Sequence, residues 1–240
     1  MTAVKIVVMG TDKRFEYLKE RISRAGHVIT EDASDAGLAV TSYPFPAQIP
    51  DGVPVAACGP KISPAGMLDI MKDEDYQLEV AYMTAEGAVS AAMANTRRAI
   101  RGARCMVIGW GRIGRALTYI LKKLEAEVSV LTRRRSAAAE ITAVGAVPMP
   151  TDEAAAAIAG HDIVFSTPPA MVVDKAVMEN ADKDAVIIDL SSPPFGVDLD
   201  AAREIGVRAW RETALPGRYC PENAADAIFE ALVRGGAIHG

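Results

Sequence analysis

A glycine-rich run near the middle of the chain is the clearest candidate for a functional site. Gly109, Gly111 and Gly114 directly follow the apolar stretch Cys105 to Ile108, and an amphipathic helical pattern continues to Leu124. Glycines at this spacing permit a tight turn, allow the backbone to approach a pyrophosphate, and bring helix and strand close together. The N-terminus of the following helix would add free N–H groups and a partial positive charge.

This run has the context of a dinucleotide-binding loop, because it lies between a strand and a helix in a unit of about 30 residues. We therefore predict that its glycines bind the pyrophosphate of a dinucleotide. The residues between the glycines would line the same loop: Trp110, Arg112 and Ile113. A glycine turn without any ligand is the alternative interpretation.

The residues after the second strand of this unit indicate which dinucleotide binds. Dinucleotide sites usually carry Asp or Glu about 20 residues after the glycines, where the carboxylate binds the ribose 2′-hydroxyl. Here Val128 to Leu131 continue into Thr132, Arg133, Arg134 and Arg135 without an acid. An arginine can instead pair with a 2′-phosphate through two parallel hydrogen bonds. We predict NADP, bound by Thr132, Arg133 and Arg134; NAD and a solvated basic turn are the alternatives.

Three further turns follow predicted strands and could complete the site. In doubly wound sheets the carboxyl ends of the strands line the cofactor crevice. The cofactor candidates at these ends are Thr167, Pro168, Asp189, Leu190, Ser191 and Pro216. Each turn alone is explained by turn chemistry, but three turns at successive strand ends predict a crevice wall.

The sequence does not reveal the catalytic acid or base. A 2-hydroxy-acid dehydrogenase uses a histidine base with a carboxylate partner. His27, His161 and His239 are each interpreted as surface or structural residues instead. No serine-nucleophile motif is present. The acidic run from Asp73 to Asp75 is interpreted as a solvated turn rather than a metal site, so we expect no metal.

Composition argues against several other kinds of protein. Of the 240 residues, 50% are hydrophobic and 24% are charged, which indicates a folded chain of one large or two small domains. The net charge of −5 argues against a nucleic-acid partner. Three separated cysteines indicate neither a disulfide framework nor a zinc site. We expect a cytoplasmic protein without a membrane partner, since no signal-peptide pattern and no apolar run of ~20 residues is present.

The two halves of the chain predict two α/β domains with parallel sheets, because short apolar runs alternate with helical stretches. Residues 1–95 are expected to form a smaller, flavodoxin-like α/β domain with three or four parallel strands. Residues 96–218 are expected to form a doubly wound Rossmann domain. A helix from Thr84, its N-terminal cap, to Arg98 would link the domains beside a cleft. Residues 219–240 would form a helix that packs back on the first domain.

An ordered set of short motifs resembles the family of dipicolinate synthase A subunits. The motifs lie between about residues 80 and 235, at Thr84–Ala88, Met93–Thr96, Ile100–Gly102, Gly109–Gly114, Ile187–Pro194 and Leu215–Pro221. Phe195 stands where that family usually has glycine. The resemblance implies a nicotinamide-binding domain related to those of D-2-hydroxy-acid dehydrogenases and adenosylhomocysteinase.

The resemblance also implies a reaction, which is the NADP-dependent oxidation of dihydrodipicolinate to dipicolinate during sporulation. Members of the family act with the flavoprotein-like B subunit of the synthase, and we also expect a homo-oligomer. A dicarboxylate substrate needs cations or free N–H groups, and the candidate substrate contacts are Lys61, Thr84, Glu86, Arg97 and Arg218. Two alternatives stay open: a non-catalytic NADP-binding protein that assembles with a partner, and a reductase or dehydrogenase of another small carboxylic acid.

Overall fold

The chain folds into two compact units. The computed structural model describes residues 3–42, 49–58 and 66–240. Unit 1 comprises Met1–Met83 and Pro216–Gly240, and unit 2 comprises Thr84–Leu215. Within the described ranges, none of the helices combines the length and the apolar character that crossing a membrane requires.

The described residues form eleven strands and nine α-helices. The strands are β1 (Lys5–Met9), β2 (Val28–Ile29), β3 (Leu38–Ser42), β4 (Val55–Cys58), β5 (Leu68–Asp69), β6 (Arg104–Ile108), β7 (Glu127–Thr132), β8 (Val147–Pro150), β9 (Ile163–Ser166), β10 (Val186–Asp189) and β11 (Arg208–Arg211). The helices are α1 (Lys13–Arg24), α2 (Glu74–Asn95), α3 (Arg112–Lys123), α4 (Ala138–Ala143), α5 (Ala154–Ala157), α6 (Lys175–Met178), α7 (Leu199–Ile205), α8 (Leu215–Tyr219) and α9 (Pro221–Arg234).

Unit 1 is built on a five-stranded parallel sheet with the order β2-β1-β3-β4-β5. This is the flavodoxin-like order, so the prediction of a flavodoxin-like α/β domain is confirmed. Ile6 of β1 and Val40 of β3 are fully buried in its core. Helix α9 packs against α1 and contributes Ile228 and Leu232, also fully buried, to the same core. The C-terminal residues are therefore part of the core of unit 1.

Unit 2 is built on a six-stranded parallel sheet with the order β11-β10-β9-β6-β7-β8. This doubly wound arrangement confirms the predicted Rossmann domain. Successive residues of a strand point to opposite faces, and Val107 and Val130 enter one buried core while Met106 and Leu131 enter another. The strand order switches direction between β6 and β9. Ligands of such sheets bind at this switch point, outside the carboxyl ends of the strands.

Helix α2 begins earlier than predicted. Asp73 caps its N-terminus, because the Asp73 carboxylate accepts a hydrogen bond of 2.8 Å from the backbone N–H of Tyr76. The prediction that Thr84 caps this helix is wrong, since Thr84 is a buried residue of the helix interior. Val80 and Met83 extend the apolar face of the helix before that point. No helix N-terminus is therefore available to a substrate at Thr84.

The acidic run at the start of α2 is paired rather than simply solvated. Arg234, at the end of α9, donates from Nε to Asp73 Oδ2 at 2.8 Å and from Nη2 to Asp73 Oδ1 at 3.0 Å. The hydrogen bond from Arg234 lowers the pKa of Asp73. The run thus connects the first turn of α2 with α9, both within unit 1. No group of metal-ligating side chains occurs among the described residues.

Several short elements were not predicted, and most of them lie at sheet edges. Strand β8 contains Pro148 and Pro150, which argue against a strand in the sequence. Proline is tolerated there because β8 is an edge strand. The edge strands β5 and β11 were missed as well, and Leu215–Tyr219 form α8 where a turn was predicted.

Candidate dinucleotide-binding site

Two glycines of the predicted loop are required by the protein's own packing. Gly109 directly follows β6 with φ +100°, and a Cβ atom there would come within 2.5 Å of Thr167 Oγ1. A Cβ atom at Gly114 would collide with the Gly109 carbonyl oxygen. A larger residue at Gly114 would push α3 away from β6, and a larger residue at Gly109 would collide with Thr167 and Pro168. The close approach of helix and strand therefore depends on Gly114, and the contact between the loop and the end of β9 depends on Gly109.

Gly111 is different, because its backbone conformation and its described neighbours do not require glycine. It is the N-terminal cap of α3, with φ −86° and ψ −168°, a backbone conformation open to other residues. A Cβ atom there would meet no atom of the described residues within 4 Å. No side chain caps the helix at this residue. The space in front of Gly111 thus lies at a helix N-terminus of the type that binds phosphates.

The side chain of Trp110 connects the glycine loop to α4 through a hydrogen bond. Its indole Nε1 donates to Glu140 Oε2 at 2.8 Å, and Arg115 Nη2 donates to the same oxygen at 2.9 Å. The hydrogen bond from Trp110, together with the charges of Arg115 and Arg134, lowers the pKa of Glu140. Sequence reasoning missed Glu140, because nothing in its spacing connects it with Trp110. Only the packing of α4 brings the two side chains together.

The arginines after β7 have unequal roles. Arg134 Nη2 donates to the Trp110 carbonyl oxygen at 2.8 Å, and the backbone N–H of Arg134 donates to Thr132 Oγ1 at 3.2 Å. Arg134 is thus engaged with the glycine loop. The Arg133 side chain is exposed and has no hydrogen bond or ion pair within the described part of the chain. Of these two candidates for binding a 2′-phosphate, Arg133 is the one available.

Residues at the end of β9 meet the glycine loop directly. Thr167 Oγ1 donates to the Ile108 carbonyl oxygen at 2.8 Å. Thr167 and Pro168 both lie against Gly109, within 4 Å of where a Cβ atom would stand. The structure therefore brings these two predicted cofactor residues together with the loop at the switch point of the sheet.

Residues at the end of β10 are buried and bonded to the protein itself. Asp189 is fully buried, and its Oδ1 accepts hydrogen bonds from Ser191 N at 3.1 Å and Ser191 Oγ at 2.6 Å. Arg211 Nε donates to the other carboxylate oxygen, Oδ2, at 2.9 Å. Leu190 is also buried. These bonds hold the strand end, and direct cofactor contact by the three residues stays a prediction, as it does for Pro216, which is buried in α8 of unit 1.

Phe195 occupies a backbone position that favours glycine. Its φ is +71°, in the left-handed region that is costly for an aromatic residue. The Arg211 guanidinium carbon lies 3.4 Å from the centroid of the Phe195 ring. This stacked contact, anchored by the bond from Arg211 to Asp189, offsets part of the strain. The positive φ angle of Phe195 gives a physical reason for the glycine that the resemblance leads us to expect at this position.

Comparison with known proteins agrees with this geometry. Residues 91–206 match the Shikimate / quinate 5-dehydrogenase family. The dipicolinate synthase A subunit of Bacillus subtilis is 30% identical over 166 residues, which cover 69% of this chain and 56% of that protein. The crystal structure of the dipicolinate synthase A subunit from Bacillus halodurans has a TM-score of 0.85 at 22% identity, covering 97% of both chains. That of the B. subtilis A chain has a TM-score of 0.83 at 22% identity, covering 99% of this chain and 97% of that one.

The chain is similar to the dipicolinate synthase A subunit. This similarity confirms the resemblance that the motifs indicated. Together with the dehydrogenase family match, it supports an oxidoreductase-like protein that binds a nicotinamide dinucleotide. The alignment spans little more than half of the B. subtilis protein.

The substrate residues expected from the resemblance to dipicolinate synthase are divided between the units. Thr84 is buried in α2 and Glu86 is exposed in α2, both in unit 2. Arg97 precedes β6, so it lies toward the amino-terminal edge of that sheet, opposite to the glycine loop. Arg218 is exposed in α8 of unit 1. Lys61 lies outside the described residues.

None of the three histidines is next to the glycine loop along the chain. His27 is buried in unit 1, where its Nδ1 accepts from Val4 N at 3.2 Å and its Nε2 lies 2.8 Å from the His239 carbonyl oxygen. His161 precedes β9, at the amino-terminal edge of its sheet, and its burial lowers its pKa. The structure thus gives His27 a structural role.

Substitutions at two glycines should separate nucleotide binding from folding. Gly111→Val should abolish dinucleotide binding, because its side chain would fill the open space, while costing only about 1 kcal/mol at the helix cap. Gly114→Ala should lower the free energy of unfolding by about 1–3 kcal/mol, because its Cβ collides with backbone. Calorimetric titration and urea denaturation measure the two effects. Unchanged nucleotide affinity in Gly111→Val would show that the loop is only a turn.

Proposed function

We propose that this chain is an NADP-dependent oxidoreductase that oxidises dihydrodipicolinate, a small dicarboxylate, to dipicolinate. The observation that carries the proposal is the open space at Gly111. The protein's own packing does not need glycine there, whereas a bound pyrophosphate would. The proposed substrate class and reaction are those that the resemblance to dipicolinate synthase A subunits implies, and the similarity to the Bacillus subtilis protein supports them.

The residues of unit 2 suit each part of the dinucleotide. The pyrophosphate would lie against Gly111, where the first N–H groups of α3 and the positive end of the helix dipole favour an anion. Arg133, exposed beside the loop, would pair with the 2′-phosphate of NADP. Arg134 and Glu140 would hold the loop in shape through Trp110.

In the proposed reaction, the main task of the protein is to position the substrate ring. When bound, NADP⁺ supplies the acceptor for a hydride. In the proposed reaction the dihydropyridine ring would give up a hydride and one proton, the proton passing to solvent, and would become an aromatic pyridine ring. Because aromatisation makes the step strongly favourable, holding the ring in the right orientation can supply much of the rate. This fits a chain in which we assign no general base.

The proposal also includes a partner subunit and a cellular location. The relatives are named as one subunit of a synthase, which supports a second subunit for this chain as well. We propose that this partner is a flavoprotein similar to the dipicolinate synthase B subunit. We also propose that this chain forms a homo-oligomer. The cytoplasm stays our prediction for where the protein acts.

A second candidate function is nucleotide binding without catalysis, within an assembly whose partner carries the reaction. The placement of the histidines favours it. In unit 1, His27 Nε2 is bonded to the His239 carbonyl oxygen. His161, the histidine of unit 2, lies at the amino-terminal edge of its sheet, whereas the glycine loop lies at the carboxyl ends of the strands.

The absorbance of NADPH tests the proposed reaction. The purified chain would be mixed with NADP⁺ and dihydrodipicolinate, alone and with the dipicolinate synthase B subunit. We expect little NADPH from the chain alone and clear formation with the partner. If neither mixture forms NADPH although NADP⁺ binds, the chain only binds the nucleotide and the proposed reaction is wrong.

Separate arginine substitutions test the cofactor preference. Arg133→Ala should lower NADP affinity about ten- to a hundredfold, because one charge-assisted bidentate contact contributes about 1.5–3 kcal/mol. It should leave NAD affinity unchanged. Arg134→Ala should weaken both cofactors alike, because Arg134 holds the Trp110 carbonyl. Arg135→Ala is the matched control, with little effect on either. Equal affinities of the unmutated chain for NADP and NAD in calorimetric titrations would contradict the assignment.

A further inference from the structure

Unit 1 carries a cluster of ionisable side chains that the cofactor site does not use. Asp12 and Arg14 follow β1, Cys58 ends β4, and Tyr76 lies in the first turn of α2. In open parallel sheets, ligands bind outside the carboxyl ends of the strands, and a flavodoxin-like sheet binds them beside its first strand. The cluster therefore lies at the edge of the sheet where a ligand is expected.

Arg14 is held in a fixed orientation by Asp12. Its Nε lies 3.0 Å from Asp12 Oδ1 and 2.9 Å from Asp12 Oδ2. Asp12 is itself fixed, since it accepts from the backbone N–H of Arg14 at 3.2 Å and packs within 3.2 Å of where a Cβ atom of Gly217 would stand. The guanidinium thus cannot turn without breaking its ion pair with Asp12.

The outer edge of that guanidinium has no partner in the described part of the chain. Both hydrogen bonds to Asp12 use Nε, and neither Nη atom of Arg14 bonds to any described residue. Only 20% of the side chain is exposed, so these N–H groups have limited access to water. Unpaired donors in a mostly buried cation are costly. The two Nη groups form a planar fork that fits the two oxygens of a carboxylate.

The charges that act at this end of the sheet are those of Arg14, Asp12 and Asp69, and neither carboxylate bonds to the Nη groups of Arg14. The negative charge of Asp12 is compensated by Arg14 and by the N-terminus of α1, which Asp12 caps. Cys58 Sγ and Tyr76 OH lie 3.2 Å apart, and the charges of Arg14 and Asp12 act on both groups. Burial, the largest influence, raises the pKa of Cys58 and of Tyr76. Both are neutral near pH 7, and their mutual hydrogen bond uses only one of their two protons.

We propose that Arg14, oriented by Asp12, binds a carboxylate group of the substrate. The ligand class is a small planar dicarboxylic acid, so the proposal rests on the proposed function and names a substrate-binding residue for it. This residue differs from the five that the sequence suggested. Arg97 and Arg218 are exposed, whereas Arg14 combines a mostly buried charge with a fixed orientation and unused donors.

Binding of dipicolinate to the full chain tests the proposal. The reaction product is the probe, titrated calorimetrically in the presence of saturating NADPH. Arg14→Gln should weaken dipicolinate binding about ten- to a hundredfold, the effect of losing one bidentate charge-assisted contact. Lys13→Gln is the matched control, because it removes the same charge from an exposed neighbour on the same helix. We expect less than about a twofold change for it.

Further measurements make each outcome decisive. Arg14→Lys keeps the positive charge but loses the planar fork, so we expect a loss of dipicolinate affinity smaller than that of Arg14→Gln. This second variant also tests the proposal if Arg14→Gln does not fold. Equal dipicolinate affinity in the unmutated and Arg14-substituted chains would overturn the proposal, as would the absence of dipicolinate binding to the unmutated chain. A parallel NADP titration shows whether the cofactor assignment stands, so the failure of this site is distinguishable from the failure of the proposed function.

Discussion

The distance between α3 and β6 is the constraint on which the nucleotide site depends. A contact between backbone atoms sets that distance, because a Cβ atom at Gly114 would collide with the Gly109 carbonyl oxygen. The close approach places the N-terminus of α3 beside the carboxyl ends of β6 and β9, at the switch point of the sheet. Thr167 then packs against Gly109 and bonds to the end of β6. The open space at Gly111 follows from this arrangement.

Hydrogen bonds within each unit occupy some of the cationic donors, and the donors that remain are those that we assign to ligands. In unit 2, Arg134 is engaged with the loop, which leaves Arg133 for a phosphate. In unit 1, Asp12 occupies the Nε of Arg14 and leaves the fork of its Nη groups. A positioned cation loses less conformational freedom when an anion binds, so its contact contributes more to affinity than that of a mobile surface residue.

Much of the fold could be predicted from the sequence, because buried parallel strands appear as short apolar runs. Elements that tertiary contacts determine could not be predicted. Edge strand β8 contains two prolines, and the start of α2 depends on a cap at Asp73 and its pairing with Arg234. The glycine loop had a sequence signature, whereas Glu140 and Arg14 had none. Their importance comes from hydrogen bonds that only the folded chain forms.

The central claim is that a dinucleotide binds at the glycine loop of unit 2. Hydrogen–deuterium exchange of the chain with and without NADP⁺ tests it most directly, because a bound pyrophosphate accepts hydrogen bonds from the first amides of α3. The account predicts slower exchange in peptides that span Gly109–Arg115 and Thr132–Arg135, and little change in α1 and α9. Unchanged exchange in both peptides at saturating NADP⁺, or protection confined to unit 1, would contradict it.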